Sequence, residues 1–283
     1  MAEILKGAPV TAALNEKMQA EIAQLKTKGV SPTLAILRIG ERGDDISYER
    51  GAMKRCETVG VEVKNVLLPA DVTQDKLMST VDELNRDAGV HGVLIFRPMP
   101  KHLDEEAVRR ALSPAKDIDC ITDGSLAGVF TGTNQGFPPC TAQACMEILD
   151  YYNIDLKGKR AVVIGRSLVI GKPVGIMLMG KNATVTTCHT RTVDMPSVAK
   201  EAEVLIVAAG KAGAVDASYL SPGQVVIDVG INVNDEGKLC GDVDFAAAEP
   251  IVAAITPVPG GVGTVTTSVL VSHVVEAAKR TLG

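Results

Sequence analysis

Apolar runs alternate with helical spacing along almost the whole chain. Within 9–28, Ala12, Leu14, Met18, Ile22 and Leu25 form an approximate stripe that predicts a helix ended by Gly29. TLAILRI (33–39), apolar except at Thr33 and Arg38, predicts a short buried strand. The pattern continues with a helix over 46–59 stopping at Gly60, a strand at 61–68, and a helix reaching about 87 that Asp71 or Thr73 caps. HGVLIF (91–96) predicts a third strand, cut off by Pro98 and Pro100, which cannot sit in a central strand. A helix over 104–112 follows. After 113–140 the alternation resumes with a helix at 141–152, strands at 160–165, 184–188, 203–209, 225–230 and 252–256, a helix after Lys172, and a last helix over 264–280. Strands separated by helices predict an α/β fold, and near-continuous apolar strands predict parallel sheets covered by helices.

Residues 113–140 break this rhythm. They are rich in Gly, Pro, Asp and Thr and too long for an ordinary connection, so they read as a functional loop. The expected organisation is two lobes. An N-terminal α/β lobe spans 1–145. A C-terminal, doubly wound α/β lobe spans 146–283, its last helix returning to the first lobe.

Composition narrows the function classes. Of 283 residues, 46% are hydrophobic and 22% charged, which supports a full core and excludes disorder. The net charge of −5 argues against a nucleic-acid surface or an anionic membrane as main partner. No apolar stretch reaches the ~18 residues of a spanning helix, and MAEILKGAPV lacks a signal-peptide pattern, so a cytoplasmic location is expected. The six cysteines show neither CxxC nor metal-ligand spacing, so they read as reduced thiols and no metal site is expected.

Candidate chemistry concentrates in four places. RAVVIGRSLVIGKPVG (160–175) reads as strand, turn and helix start, which makes an anion site at a helix N-terminus. Gly165, Gly171 and Gly175 do not match GxGxxG, so a plain βα turn and a cofactor turn both remain open. The next strand ends in Cys188-His189-Thr190-Arg191-Thr192, without the carboxylate that an NAD ribose usually meets. Arg166 and Arg191 are therefore either solvated charges or partners of a 2′-phosphate, as in NADP. ITPVPGGVGTVTTSVL (255–270) lets glycine main chain lie against a flat ligand or simply leads into the last helix. In SYERGAMKRC (47–56), Tyr48 and Ala52 share a helical face, whereas Lys54 lies roughly 200° round from Ala52. Asp117 and Asp119 each either cap a turn or accept from an amino-bearing ring.

Together these motifs resemble the methylenetetrahydrofolate dehydrogenase/methenyltetrahydrofolate cyclohydrolases. PAKDID (114–119), PPCTAQ (138–143), VVIGRSLVIGKPV (162–174), TVTTCHTRT (184–192), VIDVGIN (226–232), GDVDF (241–245) and TPVPGGVG (256–263) occur in the family's order. The resemblance implies a folate-binding first lobe, a Rossmann-like second lobe, a cleft between them and a homodimer. It implies that Tyr48 stacks on the folate ring system and Asp119 holds the pterin amino group. Gly165, Arg166, Ser167, Thr190, Ile231, Gly260, Gly261, Val262 and Gly263 take the dinucleotide contacts. NADP is expected over NAD, because Arg166 and Thr190 reproduce the Arg and hydroxyl residue that the family's NADP enzymes use.

Two departures stand out. The family pattern Tyr-Val-x-x-Lys-x-Lys places Ala52 at the catalytic Lys and Lys54 at the second Lys. The Gln that positions the catalytic Lys is replaced by Phe96. Lesser changes are Cys120 for a Gly and Thr264 for a Pro. Arg50, Lys54 and Arg97 are the cations that could substitute. Oxidation of the methylene group needs only hydride loss to a delocalised cation, whereas ring-opening hydrolysis needs positioned proton transfer. The expectation is a dehydrogenase with weak or absent cyclohydrolase activity. The alternatives are a fully bifunctional enzyme with a substitute base and a non-catalytic folate- and nucleotide-binding protein.

Overall fold

The computed structural model describes residues 1–283. Strand β1 (Glu3–Ile4) precedes α1 (Gly7–Thr27), β2 (Thr33–Ile39), α2 (Gly43–Val59), β3 (Glu62–Leu68), α3 (Gln74–Arg86), β4 (Gly92–Ile95), α4 (Glu105–Ala111), α5 (Asp123–Thr131) and α6 (Cys140–Tyr151). Then come β5 (Arg160–Ile164), α7 (Gly171–Gly180), β6 (Thr184–Cys188), α8 (Met195–Lys200), β7 (Val204–Val207) and β8 (Val225–Asp228). A short hairpin of β9 (Asn232–Val233) and β10 (Leu239–Cys240), α9 (Phe245–Ala248), β11 (Ala254–Ile255) and α10 (Val262–Arg280) complete the chain. No helix is long and apolar enough to cross a membrane.

The chain divides into two compact units. One comprises Met1–Ala12 with Thr141–Thr266, and the other Ala13–Cys140 with Thr267–Gly283. The first is built on a six-stranded sheet ordered β1-β11-β8-β7-β5-β6, every neighbouring pair parallel. Val162, Ile164, Leu205, Val207 and Val226 from its central strands form a core with Ala199, Leu220 and Ala248. From β5 the chain goes outward to β6, then returns past β5 to β7. The C-terminal ends of β5 and β7 therefore flank the point where strand order reverses, the place where open parallel sheets bind ligands.

The second unit holds a three-stranded parallel sheet ordered β3-β2-β4. Ala35, Leu37 and Ile39 of β2 and Val93 and Ile95 of β4 pack against Leu77, Val81 and Leu84 of α3 and Val108 of α4. Asp104 caps α4 by accepting from Ala107 N at 3.0 Å. Thr73, rather than Asp71, caps α3 by accepting from Lys76 N. At Gly92 an added Cβ would lie 2.7 Å from Ile118 and 3.0 Å from Val274, so β4 opens where α10 and the segment before Asp119 come closest.

The expected long loop at 113–140 is not irregular throughout. It contains α5, capped by Thr122 Oγ1 accepting from Ser125 N and ended by Gly132 at φ +67°. Glycines at 124, 128 and 132 hid this helix, because glycine lowers helix propensity. Gly128 is needed there for closeness, since a Cβ would fall 1.9 Å from the Gln135 carbonyl oxygen. Strand β1, the β9–β10 hairpin, α8 and α9 are likewise absent from the sequence pattern. Each is six residues or fewer, too short to establish a period.

Candidate functional site

In the first unit, β5 delivers the chain to Gly165, which takes φ +129°. A Cβ there would meet the Ala208 carbonyl oxygen, just after β7, at 2.3 Å. Gly165 thus sits at the strand-order reversal, in contact with the end of the neighbouring strand. Gly171, the first residue of α7, abuts the same turn: its Cβ would lie 2.2 Å from the Gly165 oxygen. Only main chain fits between strand end and helix start. Ser167 braces the turn, its Oγ accepting from Ile170 N at 3.2 Å and its carbonyl from Lys172 N at 3.0 Å. Arg166 and Ser167 are exposed.

The end of β6 lies one hydrogen bond away, Gly165 N donating to Cys188 O at 2.9 Å. His189 Nδ1 accepts from Arg191 N at 3.1 Å and His189 N donates to Thr192 Oγ1 at 2.9 Å, so this histidine builds the turn. Thr190 and Arg191 are left exposed on it. Arg166 and Arg191 therefore follow adjacent strand ends.

Farther along the same edge, a cavity of about 210 Å³ is lined by Asp228, Val229, Gly230, Ile231, Leu239 and residues 257–264, including Gly260, Gly261, Val262 and Gly263. Gly260 adopts φ +104°, and the loop is anchored by Gly7 N donating to its carbonyl at 2.8 Å. From β6 to β8 is three strand spacings, about 14 Å. An extended dinucleotide suits this layout: glycine main chain at the reversal, cations at β5 and β6, and an open glycine-walled cavity at β8. The wall rests on two buried carboxylates. Asp228 accepts from Gly230 N, Asp242 N and Val243 N, each at 3.0 Å. Burial nonetheless pushes its carboxyl up to about 6.

In the second unit, α2 carries Tyr48. Asp44 and Asp45 in its first turn suit the helix dipole, and Gly60 at φ +90° ends it with N–H to Cys56 O. Asp45, Glu49, Ala52, Cys56 and Val59 are its buried residues. Glu49 pairs with Arg38 of β2 at 2.6 Å, both ends buried, which ties the helix to the sheet. Tyr48 shares this side and meets Phe96 edge-on, ring centroids 5.9 Å apart at 82°. Ala52 is fully buried. Lys54 and Arg50 instead line a surface depression with Met53 and Glu57 on the opposite side of the helix from Ala52. Arg97 remains. It pairs with Glu105 at 3.5 Å, and its charge also acts on Asp119.

The two aspartates separate cleanly. Asp117 is a loop organiser: it accepts from Ile121 N at 2.9 Å, Thr122 N at 2.8 Å and Ser125 Oγ at 2.6 Å. Asp119 has Cys140 as its hydrogen-bond partner instead. Burial raises its carboxyl to about 6, against the opposing pull of Cys140 and Arg97. Tyr48 belongs to the same cluster, its hydroxyl pushed up by burial and by the nearby Cys140 and Asp119. Cys120 stands at φ +59°, where its backbone favours the glycine that the family pattern has.

Behind Asp119 lie residues that sequence reasoning passed over. Cys140 Sγ donates to Ile118 O at 3.3 Å, and His273 Nδ1 donates to the same oxygen at 2.8 Å. Burial holds His273 down at about 4, so its ring is neutral. It stacks on Phe137 at 5.0 Å, and the Arg280 guanidinium covers that ring at 4.2 Å. Cys140 lies within PPCTAQ, and that motif was the one available signal. His273 and Arg280 share no local pattern with the sites they support.

Residues 5–119 match the model of the tetrahydrofolate dehydrogenase/cyclohydrolase catalytic domain, and 139–282 match that family's NAD(P)-binding domain. The chain belongs to this family. Its NAD(P)-binding domain takes NADP or NAD as cofactor. The bifunctional protein FolD of Clostridioides difficile is 50% identical over 277 residues, covering 98% of this chain and 96% of that protein. The crystal structure of the bifunctional FolD dehydrogenase/cyclohydrolase from Campylobacter jejuni has a TM-score of 0.95 at 34% identity, covering 99% of this chain and 100% of that one. The Trypanosoma brucei FolD structure, complexed with NADP and an inhibitor, has a TM-score of 0.90 at 34% identity, covering 99% and 98%.

Proposed function

We propose that this chain oxidises 5,10-methylenetetrahydrofolate to the 5,10-methenyl cation, with NADP+ preferred over NAD+, and hydrolyses that cation weakly or not at all. The Campylobacter jejuni and Trypanosoma brucei relatives carry both activities in their names. The observation that carries this reading is Ala52, fully buried on the face of α2 that bears Tyr48, with Phe96 against the tyrosine ring. When bound, the pyridine nucleotide supplies the hydride acceptor. Arg166, Ser167 and Thr190 hold its phosphate-bearing end, and Ile231 with Gly260–Gly263 line the other. On the folate side, Tyr48 stacks on the ring system and the Asp119 carboxylate accepts from the pterin amino group.

Positioning is nearly the whole requirement for the first reaction, because the cation left by hydride loss is shared between two nitrogens and no proton has to be abstracted. Hydrolysis differs. Water must be deprotonated as it adds, and a ring nitrogen must be protonated as the ring opens, work worth typically ~10²–10⁴ in rate. An alanine methyl and a phenyl ring can do neither. A guanidinium, the group that Arg97 offers, is a poor base. A cytoplasmic homodimer belongs to the same reading.

The test is steady-state reduction of NADP+ and of NAD+ with methylenetetrahydrofolate. We expect turnover with both, at a higher kcat/KM for NADP+, and Arg166→Ala should narrow that preference. Reduction of neither nucleotide overturns the proposal.

A further inference from the structure

Ile231 is 67% exposed yet lines the glycine-walled cavity, its Cδ1 only 3.3 Å from where a Cβ at Gly263 would lie. It sits on the three-residue link between β8 and β9. A large apolar side chain on so short a link keeps one position only if the backbone on both sides is fixed. One buried carboxylate fixes both. Asp242, fully buried, accepts from Asn232 Nδ2 at 2.9 Å, immediately after Ile231. Its carboxyl carbon lies 2.3 Å from where a Cβ at Gly230 would be, immediately before Ile231. The same carboxylate accepts from Gly210 N and Lys211 N, each at 2.9 Å, in the loop that follows β7. Asp228 holds Asp242 in turn, accepting from its N–H at 3.0 Å and lying 1.8 Å from where a Cβ at Gly241 would be.

We infer that Asp242, acting through Asn232, is a positioning residue that sets the Ile231 wall and thereby the affinity for the dinucleotide, without touching it. The inference rests on the reading that this cavity takes the dinucleotide. Its signature is a change in nucleotide binding that leaves folate binding and turnover alone. Asn232→Ala is the variant of choice because it cuts one side-chain bond. Asp242→Asn would in addition turn an amide NH2 toward one of the loop donors, Gly210 N or Lys211 N, and lower stability.

The experiment is titration of the full chain with NADPH and NADH, followed by nucleotide fluorescence. Wild type and Asn232→Ala are compared, each with and without Ile231→Ala. Asn232→Ala should raise the Kd about tenfold, with the KM for methylenetetrahydrofolate and kcat within about twofold of wild type. In the Ile231→Ala background the same change should move the Kd less than about twofold, because the wall it positions is gone. A wild type that binds neither nucleotide overturns the reading of the cavity, and this inference with it. A wild type that binds while Asn232→Ala binds equally well, or an Asn232→Ala effect of the same size in both backgrounds, overturns the inference alone.

Discussion

Asp119 and Asp117 lie two residues apart and have different fates, and the difference is one of hydrogen-bond supply. Three donors from the following turn saturate Asp117, so it is spent on structure. Asp119 has a cysteine for company and a carboxyl raised to about 6. A charge-assisted bond from an amino group needs the ionised carboxylate, so Asp119 binds best above pH about 6 and weakens as the pH falls through that value. We therefore expect kcat/KM for the folate to fall below pH about 6 and Asp119→Asn to flatten that limb. The same variant should raise the folate KM roughly ten- to hundredfold, the value of a hydrogen bond to a charged group. A folate KM that ignores both pH and the Asn substitution would separate Asp119 from substrate binding.

At the scale of elements, glycines show how one residue type answers different demands. Gly51 lies mid-way along α2 with nothing within 4 Å of an added Cβ, so Gly51→Ala should stabilise the chain by about 0.5–1 kcal/mol. Gly165 meets main chain at 2.3 Å and has φ +129°, so Gly165→Ala should destabilise by roughly 2 kcal/mol or more. Urea unfolding of the two variants checks both signs. The sequence places Gly165 in a turn and Gly51 in a helix, but the Ala208 carbonyl that crowds Gly165 arrives from another strand and leaves no local sign. The long elements were legible for the opposite reason: β2 is apolar at five of its seven positions and α1 repeats its apolar positions over about four turns, both local signals. The site was legible in part. Tyr48, Asp119 and the 256–263 loop stand in local motifs. Arg38–Glu49, His273–Ile118 and Asp242–Asn232 join segments that only folding brings together.

For the whole molecule, the account reduces to a division of labour. One unit presents glycine main chain and arginines at the C-terminal edge of a parallel sheet. On the proposed reading the other presents an aromatic ring and a buried carboxylate, with the apolar pair Ala52 and Phe96 standing where the resemblance implies Lys and Gln. Restoring that pair should need both changes, since a Lys at 52 without its amide partner is unoriented. The double variant Ala52→Lys, Phe96→Gln should gain roughly 10² in methenyl hydrolysis, and each single change far less. The most direct measurement is the enzyme-dependent rate of methenyltetrahydrofolate hydrolysis set against the rate of methylenetetrahydrofolate oxidation on one preparation of the unmodified chain. The account predicts hydrolysis slower by a factor of at least about 100. Equal rates would contradict it.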